Sequence, residues 1–428
     1  MPPDILILGG GPAGLSTALH LAKFASELKP RILILEKAHY PRPKLCAGAL
    51  VADAEVILES LGLDVSEVPH VDAAEAHLDF AGKGLVVSLF GTHALRMIRR
   101  DEFDAWLAAK AQAAGIEIRQ GVTVMNVQPR PDRVTVLTDA GVYEAAVVVG
   151  ADGSNGVTRR CILPSSKTHT ARVLEVLVPP TWAGPRTSLP PRVLVEDPEV
   201  FSASERSAEV EDPARSAAQE RDNLPLAEKG MPAHADNVAY LEFSPVPSRI
   251  AGYVWDFPTQ VRGQPMRCWG IYDANLFGKH HRPRLTELLA DEMRDQGFVL
   301  DEAHVQGHPI RWFSPFRRLA VRRVILVGDA AGADGIFGEG ISIALGYGRI
   351  AAEAIRDAIA RRDYSFRDYG RRVLLSPLGQ ALTIRTGITQ LLYRLRWAWF
   401  QKMFWRRLKP IVLAVSLVLV LNWSRRMK

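Results

Sequence analysis

Cysteines are scarce in this chain of 428 residues, and none of them has metal-ligand spacing. Cys46, Cys161 and Cys268 are far apart and odd in number, which argues against a disulfide framework and favours a reducing compartment. No CxxC pair is present and His280-His281 has no nearby ligand partner, so we expect no metal site. The first strand pattern starts at about residue 4, which leaves no room for a signal peptide and predicts a cytoplasmic protein.

Acidic residues are missing from the end of the chain. Residues 385–428 contain ten Lys or Arg and no Asp or Glu, so the rest of the chain carries 43 basic against 47 acidic residues, a balance of −4. The net charge of +6 therefore belongs to this tail and gives no support for nucleic-acid binding. Long apolar runs are also lacking. Ile411 to Leu421 would rise only about 16 Å as a helix, roughly half of a hydrocarbon core, so we expect no simple membrane span.

The first 36 residues contain a complete dinucleotide-binding pattern. The apolar run Ile5–Leu8 precedes a glycine turn, a helical pattern follows, and the run Ile32–Leu35 ends on Glu36. In such a βαβ unit a pyrophosphate lies at the helix N-terminus, and the acid accepts hydrogen bonds from the adenosine ribose. A turn that holds no ligand is the alternative. Gly9 permits the tight turn, Gly11 lets the backbone approach the pyrophosphate, and Gly14 lets the helix pack on the strand. The residues of the turn are Gly9, Gly10, Gly11, Pro12, Ala13 and Gly14.

Two later strand patterns also end in small and acidic residues. Ala146–Val149 runs into Gly150-Ala151-Asp152-Gly153, and Arg323–Val327 runs into Gly328-Asp329-Ala330-Ala331-Gly332. A long helix is predicted from about Gly340 to Arg361. Between these segments, residues 202–236 have scarcely any large apolar side chain, which predicts a mobile insertion.

The order and spacing of these three motifs resemble those of the para-hydroxybenzoate-hydroxylase-like FAD proteins, over about residues 4 to 360. The resemblance implies an α/β fold in which a Rossmann-like FAD-binding domain (GR2/PHBH type) is interleaved with an antiparallel-sheet substrate domain, plus a helical C-terminal region. We expect the FAD-binding domain over 1–165 with 310–365, with 75–100 a candidate part of the substrate domain. The substrate domain is expected over 166–309, and a basic, membrane-associating region over 366–428.

The resemblance also implies which residues hold the cofactor. Asp329 is expected to bond the ribityl chain, Asp152-Gly153 to support the dinucleotide, and Arg100, on an Arg-x-x-Phe-Asp helix, to reach the FAD. A helix cap is the alternative role for Asp329, and a turn former for Asp152. The expected cofactor contacts are Gly9, Gly11, Pro12, Ala13, Gly14, Glu36, Lys37, Lys44, Ala47, Arg100, Val122, Asp152, Gly153, Gly328, Asp329, Gly338, Gly340 and Ile341.

Two stretches resemble the geranylgeranyl reductase family within that superfamily. Residues 41–48, Pro-Arg-Pro-Lys-Leu-Cys-Ala-Gly, resemble its Pro-x-x-Lys-x-Cys-Gly-Gly motif, and Tyr253–Pro258 resembles its Tyr-x-Trp-x-Phe-Pro motif, which lines the substrate cavity. Ala47 replaces a glycine, Thr259 stands where lysine is common, and Asp334-Gly335 replaces a proline-containing segment. The Trp-x-Trp-x-Ile-Pro motif of flavin halogenases is a more distant match to the same strand.

This resemblance implies an FAD-dependent oxidoreductase that reduces isolated double bonds of a prenyl lipid by hydride transfer from reduced flavin plus protonation. Cys46, Tyr253 and Trp255 are the candidate catalytic residues: a thiol acid or polar contact, and two aromatics on one strand face. Core packing is the alternative for all three, and Lys44 is either a phosphate or flavin contact or a solvated lysine. Alternative functions are an FAD-dependent monooxygenase or halogenase acting on an apolar or aromatic substrate, and a membrane-tethered FAD scaffold without turnover.

Electron donor and membrane contact are the remaining expectations. A single GxGxxG unit is present and FAD would occupy it, so the reductant is either NAD(P)H docking transiently or a protein such as reduced ferredoxin. In the tail, apolar residues recur at helical spacing among arginines and four tryptophans, which favours a segment in the interface of an anionic membrane. A helical cap over the substrate domain is the alternative. The apolar residues are Ile388, Leu391, Leu392, Leu395 and Trp399, and the tryptophans are Trp397, Trp399, Trp405 and Trp423.

Overall fold

The computed structural model describes residues 4–88, 92–164, 169–180, 234–277, 283–415 and 422–427. The predicted insertion lies outside them up to residue 233, and so does His280-His281. The strands of the described residues are β1 (Ile5–Leu8), β2 (Ile32–Glu36), β3 (Ala49–Leu50), β4 (His70–Ala73), β5 (Glu75–Asp79), β6 (Gly84–Ser88), β7 (Leu95–Ile98), β8 (Glu117–Gln120), β9 (Val124–Pro129), β10 (Val134–Thr138), β11 (Gly141–Ala145), β12 (Val147–Gly150), β13 (Thr170–Val178), β14 (Val238–Glu242), β15 (Gly252–Val261), β16 (Gln264–Asp273), β17 (Gln306–Arg311), β18 (Ala320–Val321) and β19 (Val324–Leu326). The helices are α1 (Pro12–Phe24), α2 (Ala52–Ser60), α3 (Arg100–Ala113), α4 (Val157–Ile162), α5 (Leu285–Asp295), α6 (Ile341–Arg361), α7 (Tyr369–Leu375), α8 (Pro377–Arg394), α9 (Ala398–Lys402) and α10 (Lys409–Val415).

A six-stranded sheet in the order β18-β19-β12-β1-β2-β8 carries the glycine turn. Its strands are parallel except for the edge strand β18. Ile5 and Ile7 pack into one core with α1 and α6, while Leu6 and Leu8 pack into another with the strands β9 and β10. Burial on both faces explains why β1 reads as a continuous apolar run.

A seven-stranded, mostly antiparallel sheet has the order β17-β13-β16-β15-β14-β5-β6. One face packs on α5, where Trp269 and Ile271 meet Leu289 and Met293. The opposite face carries a row of aromatic side chains and lines a cavity. A parallel sheet with a glycine turn, an antiparallel sheet beside it and a helical C-terminal region confirm the predicted fold class.

The C-terminal helices pack on this scaffold. Trp405 is buried and stacks on Phe243 with ring centroids 4.1 Å apart. Trp423 is buried in the core that β1 forms with α1 and α6. The helical spacing predicted from Ile388 to Trp399 does not belong to one helix, because α8 ends at Arg394. The Gln401 side chain donates to the Leu392 and Leu395 carbonyl oxygens, 3.0 Å in each case, and so satisfies that helix end.

The other two tail tryptophans are exposed. Trp397 and Trp399 have 57% and 63% exposure, and their rings stack on each other with centroids 6.2 Å apart. The described part of the tail therefore combines a cap on the core with an exposed apolar edge. Among the described residues, no helix is long and apolar enough to reach across a membrane.

Candidate active site

A cavity of about 1420 Å³ extends from the glycine turn after β1 to the aromatic face of the seven-stranded sheet. Its volume exceeds the roughly 300–1,000 Å³ of an ordinary small-molecule site, so it has room for more than one ligand. Nearly all of the predicted site residues line it, including Cys46, Tyr253 and Trp255; the two exceptions are Gly14 and Gly328. The C-terminal helices close one side through Leu392, Phe400, Phe404 and Trp405.

The glycine turn connects β1 to α1 as predicted. Gly9 has a φ of +110°, and a Cβ at Gly14 would overlap the Gly9 carbonyl oxygen, so both positions require glycine. No side chain caps the start of α1. The backbone N–H groups of its first turn therefore face the cavity end as a ready site for a pyrophosphate, which fits a dinucleotide.

Glu36 is buried at the end of β2 and braces this turn. Its Oε2 accepts from the Gly10 N–H at 2.8 Å and its Oε1 from the Ala38 N–H at 3.1 Å, with Arg42 Nε 3.6 Å away. The Val122 N–H donates to the Glu36 carbonyl oxygen. The side chain thus has a structural task in addition to lining the cavity, and its contact with a ribose stays a prediction.

Asp152 has two different carboxylate oxygens. Oδ2 accepts from the Thr158 N–H at 2.8 Å and the Thr158 hydroxyl at 2.9 Å, which holds the start of α4. Oδ1 is buried and has no hydrogen-bond partner among the described residues, and burial raises the pKa of this carboxyl. The turn-forming role accounts for one oxygen only, and the other is an orphaned acceptor that a cofactor hydroxyl could satisfy.

Asp329 lies just after β19, where Gly328 adopts a φ of +56° against Ala13. The helix-cap alternative is not observed, because the side chain that accepts from the first turn of α6 is Glu339, whose Oε1 accepts from the Ser342 N–H at 3.1 Å. Asp329, Gly338, Gly340 and Ile341 instead line the cavity together. A carboxylate beside a helix N-terminus fits a polar, hydroxyl-bearing ligand.

Arg100 and Lys44 line the cavity between these segments. Arg100 is buried and donates to both Asp104 carboxylate oxygens at 2.8 Å, so its guanidinium is held rigidly. Lys44 is half-buried and its Nζ lies 2.8 Å from Nε2 of His308, so the solvated-lysine alternative is wrong. Burial lowers the pKa of Lys44 to about 8 and that of His308 to about 3, which makes the imidazole the neutral acceptor.

Glu175 and His308 were missed by the sequence reasoning. Glu175 is the one acidic residue in the run Val173–Val178 of β13, and that interruption of an apolar strand was an available signal. Its Oε1 accepts from the Cys46 N–H at 3.3 Å. His308 carries no local pattern, because only the pairing of β17 with β13 brings it to the cavity.

Comparison with known proteins identifies an FAD-binding domain in the first part of the chain. Residues 3–190 match the family model of an FAD binding domain. The chain therefore contains an FAD-binding domain and is similar to FAD-dependent oxidoreductases, among them proteins named geranylgeranyl reductases.

Two relatives illustrate this similarity. An uncharacterised protein of Methanosarcina barkeri (strain Fusaro / DSM 804) is 27% identical over 358 residues, which cover 83% of this chain and 75% of that one. Digeranylgeranylglycerophospholipid reductase 3 of Methanosphaera stadtmanae is 25% identical over 380 residues, covering 85% and 79%.

Two solved structures share the fold. A geranylgeranyl bacteriochlorophyll reductase-like protein from Thermoplasma acidophilum superposes with a TM-score of 0.66 at 20% identity, covering 99% of this chain and 95% of that one. A flavin-dependent brominase superposes with a TM-score of 0.61 at 17% identity, covering 96% and 92%. At such identities the superpositions show the fold alone.

Proposed function

We propose that the protein is an FAD-dependent reductase of isolated double bonds in a prenyl, geranylgeranyl-type lipid. The observation that supports this most is the continuity of the cavity, in which the glycine turn and the aromatic strand face line one space. Reduced FAD would supply the hydride, and the protein would orient the chain of the lipid, exclude water and deliver a proton. We assign the cofactor to 1–165 with 310–365, and the lipid to 166–309.

The proposed lipid wall consists of aromatic rings on one face of the seven-stranded sheet. The Tyr253 hydroxyl donates to the Phe337 carbonyl oxygen at 2.6 Å, and burial raises its pKa, so it stays protonated. Its ring lies beside that of Trp255, with centroids 6.2 Å apart. Such a surface offers apolar contact to an isoprenoid chain, and Cys46 lies at the same cavity as a candidate acid or polar contact.

A membrane is the proposed source of the lipid. Leu391 and Ile411 line the cavity and are also exposed, and the stacked Trp397 and Trp399 are exposed in the same C-terminal region. The basic residues of 385–428 would add attraction to an anionic surface, so we propose peripheral attachment through this edge. Electrons would come from NAD(P)H docking transiently or from a donor protein such as reduced ferredoxin.

The test is mass spectrometry of lipid products from purified, dithionite-reduced protein incubated with geranylgeranyl substrates without oxygen. We expect a gain of about two mass units for each double bond reduced. No anaerobic product, together with a gain of about sixteen units in the presence of NAD(P)H and air, would overturn the proposal and favour a monooxygenase. The brominase-like fold keeps a halogenase as a further alternative, for which a halide-dependent mass gain is the signature.

A further inference from the structure

Glu175 lies on the aromatic face of the seven-stranded sheet. In the strand register it pairs with Gly270 of β16, which in turn pairs with Trp255 of β15. Directly paired residues of neighbouring strands point to the same face, so the carboxylate and the indole share the cavity face. A Cβ at Gly270 would overlap the Trp255 ring, which therefore lies over the glycine, between its own strand and that of Glu175.

The Glu175 carboxyl is buried, and only one of its two oxygens accepts a hydrogen bond from the described residues. The residue is 5% exposed and lines the cavity, and Oε1 accepts the Cys46 N–H. Oε2 has no hydrogen-bond partner among the described residues. A buried acceptor of this kind is costly unless a ligand or a proton satisfies it, so an otherwise apolar and aromatic face holds one oxygen ready for either.

The charged and titratable groups around Glu175 leave it without a partner cation in the described residues. Arg99 and Lys44 act on it from a distance, and the Lys44 ammonium is bonded to His308. The thiols of Cys46 and Cys268 are its other titratable neighbours. Burial outweighs these cations and the Cys46 N–H and raises the pKa of the Glu175 carboxyl to about 7.

We propose that Glu175 is the general acid that protonates the lipid double bond, an inference that rests on the proposed reductase function. Reduced FAD would supply a hydride to one carbon of the alkene and would thereby be oxidised, while the π bond breaks. The other carbon receives the Glu175 O–H proton, and a saturated C–C unit results. The carboxylate left behind accepts the Cys46 N–H and is protonated again from water before the next turnover.

The experiment compares the wild type with Glu175→Gln, whose amide oxygen still accepts the Cys46 N–H, and with Cys46→Ala, which removes the thiol. With prereduced protein and a geranylgeranyl lipid, we expect Glu175→Gln to lower the single-turnover rate about 100-fold or more, with FAD content and the flavin spectrum unchanged. We expect the wild-type rate to fall above pH 7, because the acid is deprotonated there. Cys46→Ala retains this fall, whereas Glu175→Gln loses it.

A second readout uses the protein without cofactor. Because the folded-state pKa of Glu175 is raised, its contribution to stability is complete at low pH and declines as the pH rises from the unfolded value, about 4.3, to about 7. The melting temperature of Glu175→Gln relative to the wild type therefore rises between pH 4.5 and pH 8. Glu287→Gln is the control, since it makes the same chemical change at an exposed carboxylate whose ion pair with Arg284 lies outside this cluster.

The outcomes separate the two proposals. Wild-type turnover with an equal rate and pH profile in Glu175→Gln overturns the role of Glu175 alone. A Cys46→Ala protein that loses all turnover while Glu175→Gln keeps it assigns the proton to the thiol instead. If the wild type reduces no prenyl substrate, the reductase function and the general acid are overturned together. A melting-temperature difference that does not change with pH contradicts a protonated Glu175 at neutral pH.

Discussion

The two ends of the cavity are built from different parts of the chain. At the glycine turn, the surface is main chain: uncapped N–H groups, glycines with positive φ and short polar side chains at strand ends. At the seven-stranded sheet, it is side chain: rings from β15 and β16, with a covering from the C-terminal helices. The first end offers hydrogen bonds in fixed directions, and the second offers shape and apolar area. Substitutions should therefore act sharply at one end and gradually at the other.

The largest loss of stability is expected from Arg385, whose ion pairs connect α8 to the loop before α6. Arg385 of α8 is buried and its Nη1 lies 2.8 Å from Glu339 and 3.3 Å from Asp334, on either side of the loop that leads into α6. Arg385→Ala removes the cation from two buried or half-buried carboxylates, and we expect a loss of about 3–5 kcal/mol in the free energy of unfolding, measured with urea. Arg284→Ala, which breaks an exposed pair with Glu287, is the control and should change it by less than about 1 kcal/mol. Equal losses of stability in the two variants would contradict a special role for the Arg385 ion pairs.

Gly14→Ala tests the main-chain end. The added Cβ would overlap the Gly9 carbonyl oxygen, so α1 must move away from the turn. We expect a loss of about 1–3 kcal/mol in stability and most of the bound FAD, measured by flavin absorbance after gel filtration. Gly370→Ala is matched in chemistry, and its Cβ would meet nothing within 4 Å. Normal FAD content in Gly14→Ala would show that this end tolerates displacement as the other does.

Gly270→Ala tests the side-chain end. Its Cβ would overlap the Trp255 ring and the Leu174 carbonyl oxygen. Because the ring can shift into the cavity, we expect a loss of about 1–2 kcal/mol in stability and lower lipid turnover, with FAD content unchanged. Gly387→Ala, with nothing within 4 Å of the new Cβ, serves as the reference. A parallel loss of FAD in Gly270→Ala would contradict the separation of the two ends.

The smallest effect on stability belongs to the exposed edge. Replacing both Trp397 and Trp399 by alanine should change the free energy of unfolding by less than about 0.5 kcal/mol for each residue, since neither is buried. Co-sedimentation with anionic vesicles should fall clearly, and the remaining binding should weaken with salt. Phe316→Ala removes an exposed aromatic elsewhere and is the control. Equal vesicle binding by the two variants would contradict membrane contact through this edge.

The same difference explains how much the sequence could predict. The main-chain end depends on local patterns, since a glycine turn between two apolar runs has few possible geometries, and the strands, the turn and α6 were predicted. The side-chain end depends on pairings between distant strands. Glu175, Gly270 and Trp255 meet only through the register of β13, β16 and β15, which no local period encodes. The break after Arg394 was missed because Gln401 supplies the helix end from outside the helix.

The residues that close the cavity are synthesised last. Asp53 of α2, whose carboxylate accepts the Asn422 and Ser424 N–H groups, is synthesised some 370 residues before its partners. During translation the N-terminal elements can assemble first, while this buried carboxyl and the Phe243 ring still lack the tail residues that complete their surroundings. A nascent chain thus has an interval in which the glycine turn exists and the C-terminal helices that close one side of the cavity do not. Cofactor loading during that interval needs no opening of the finished protein.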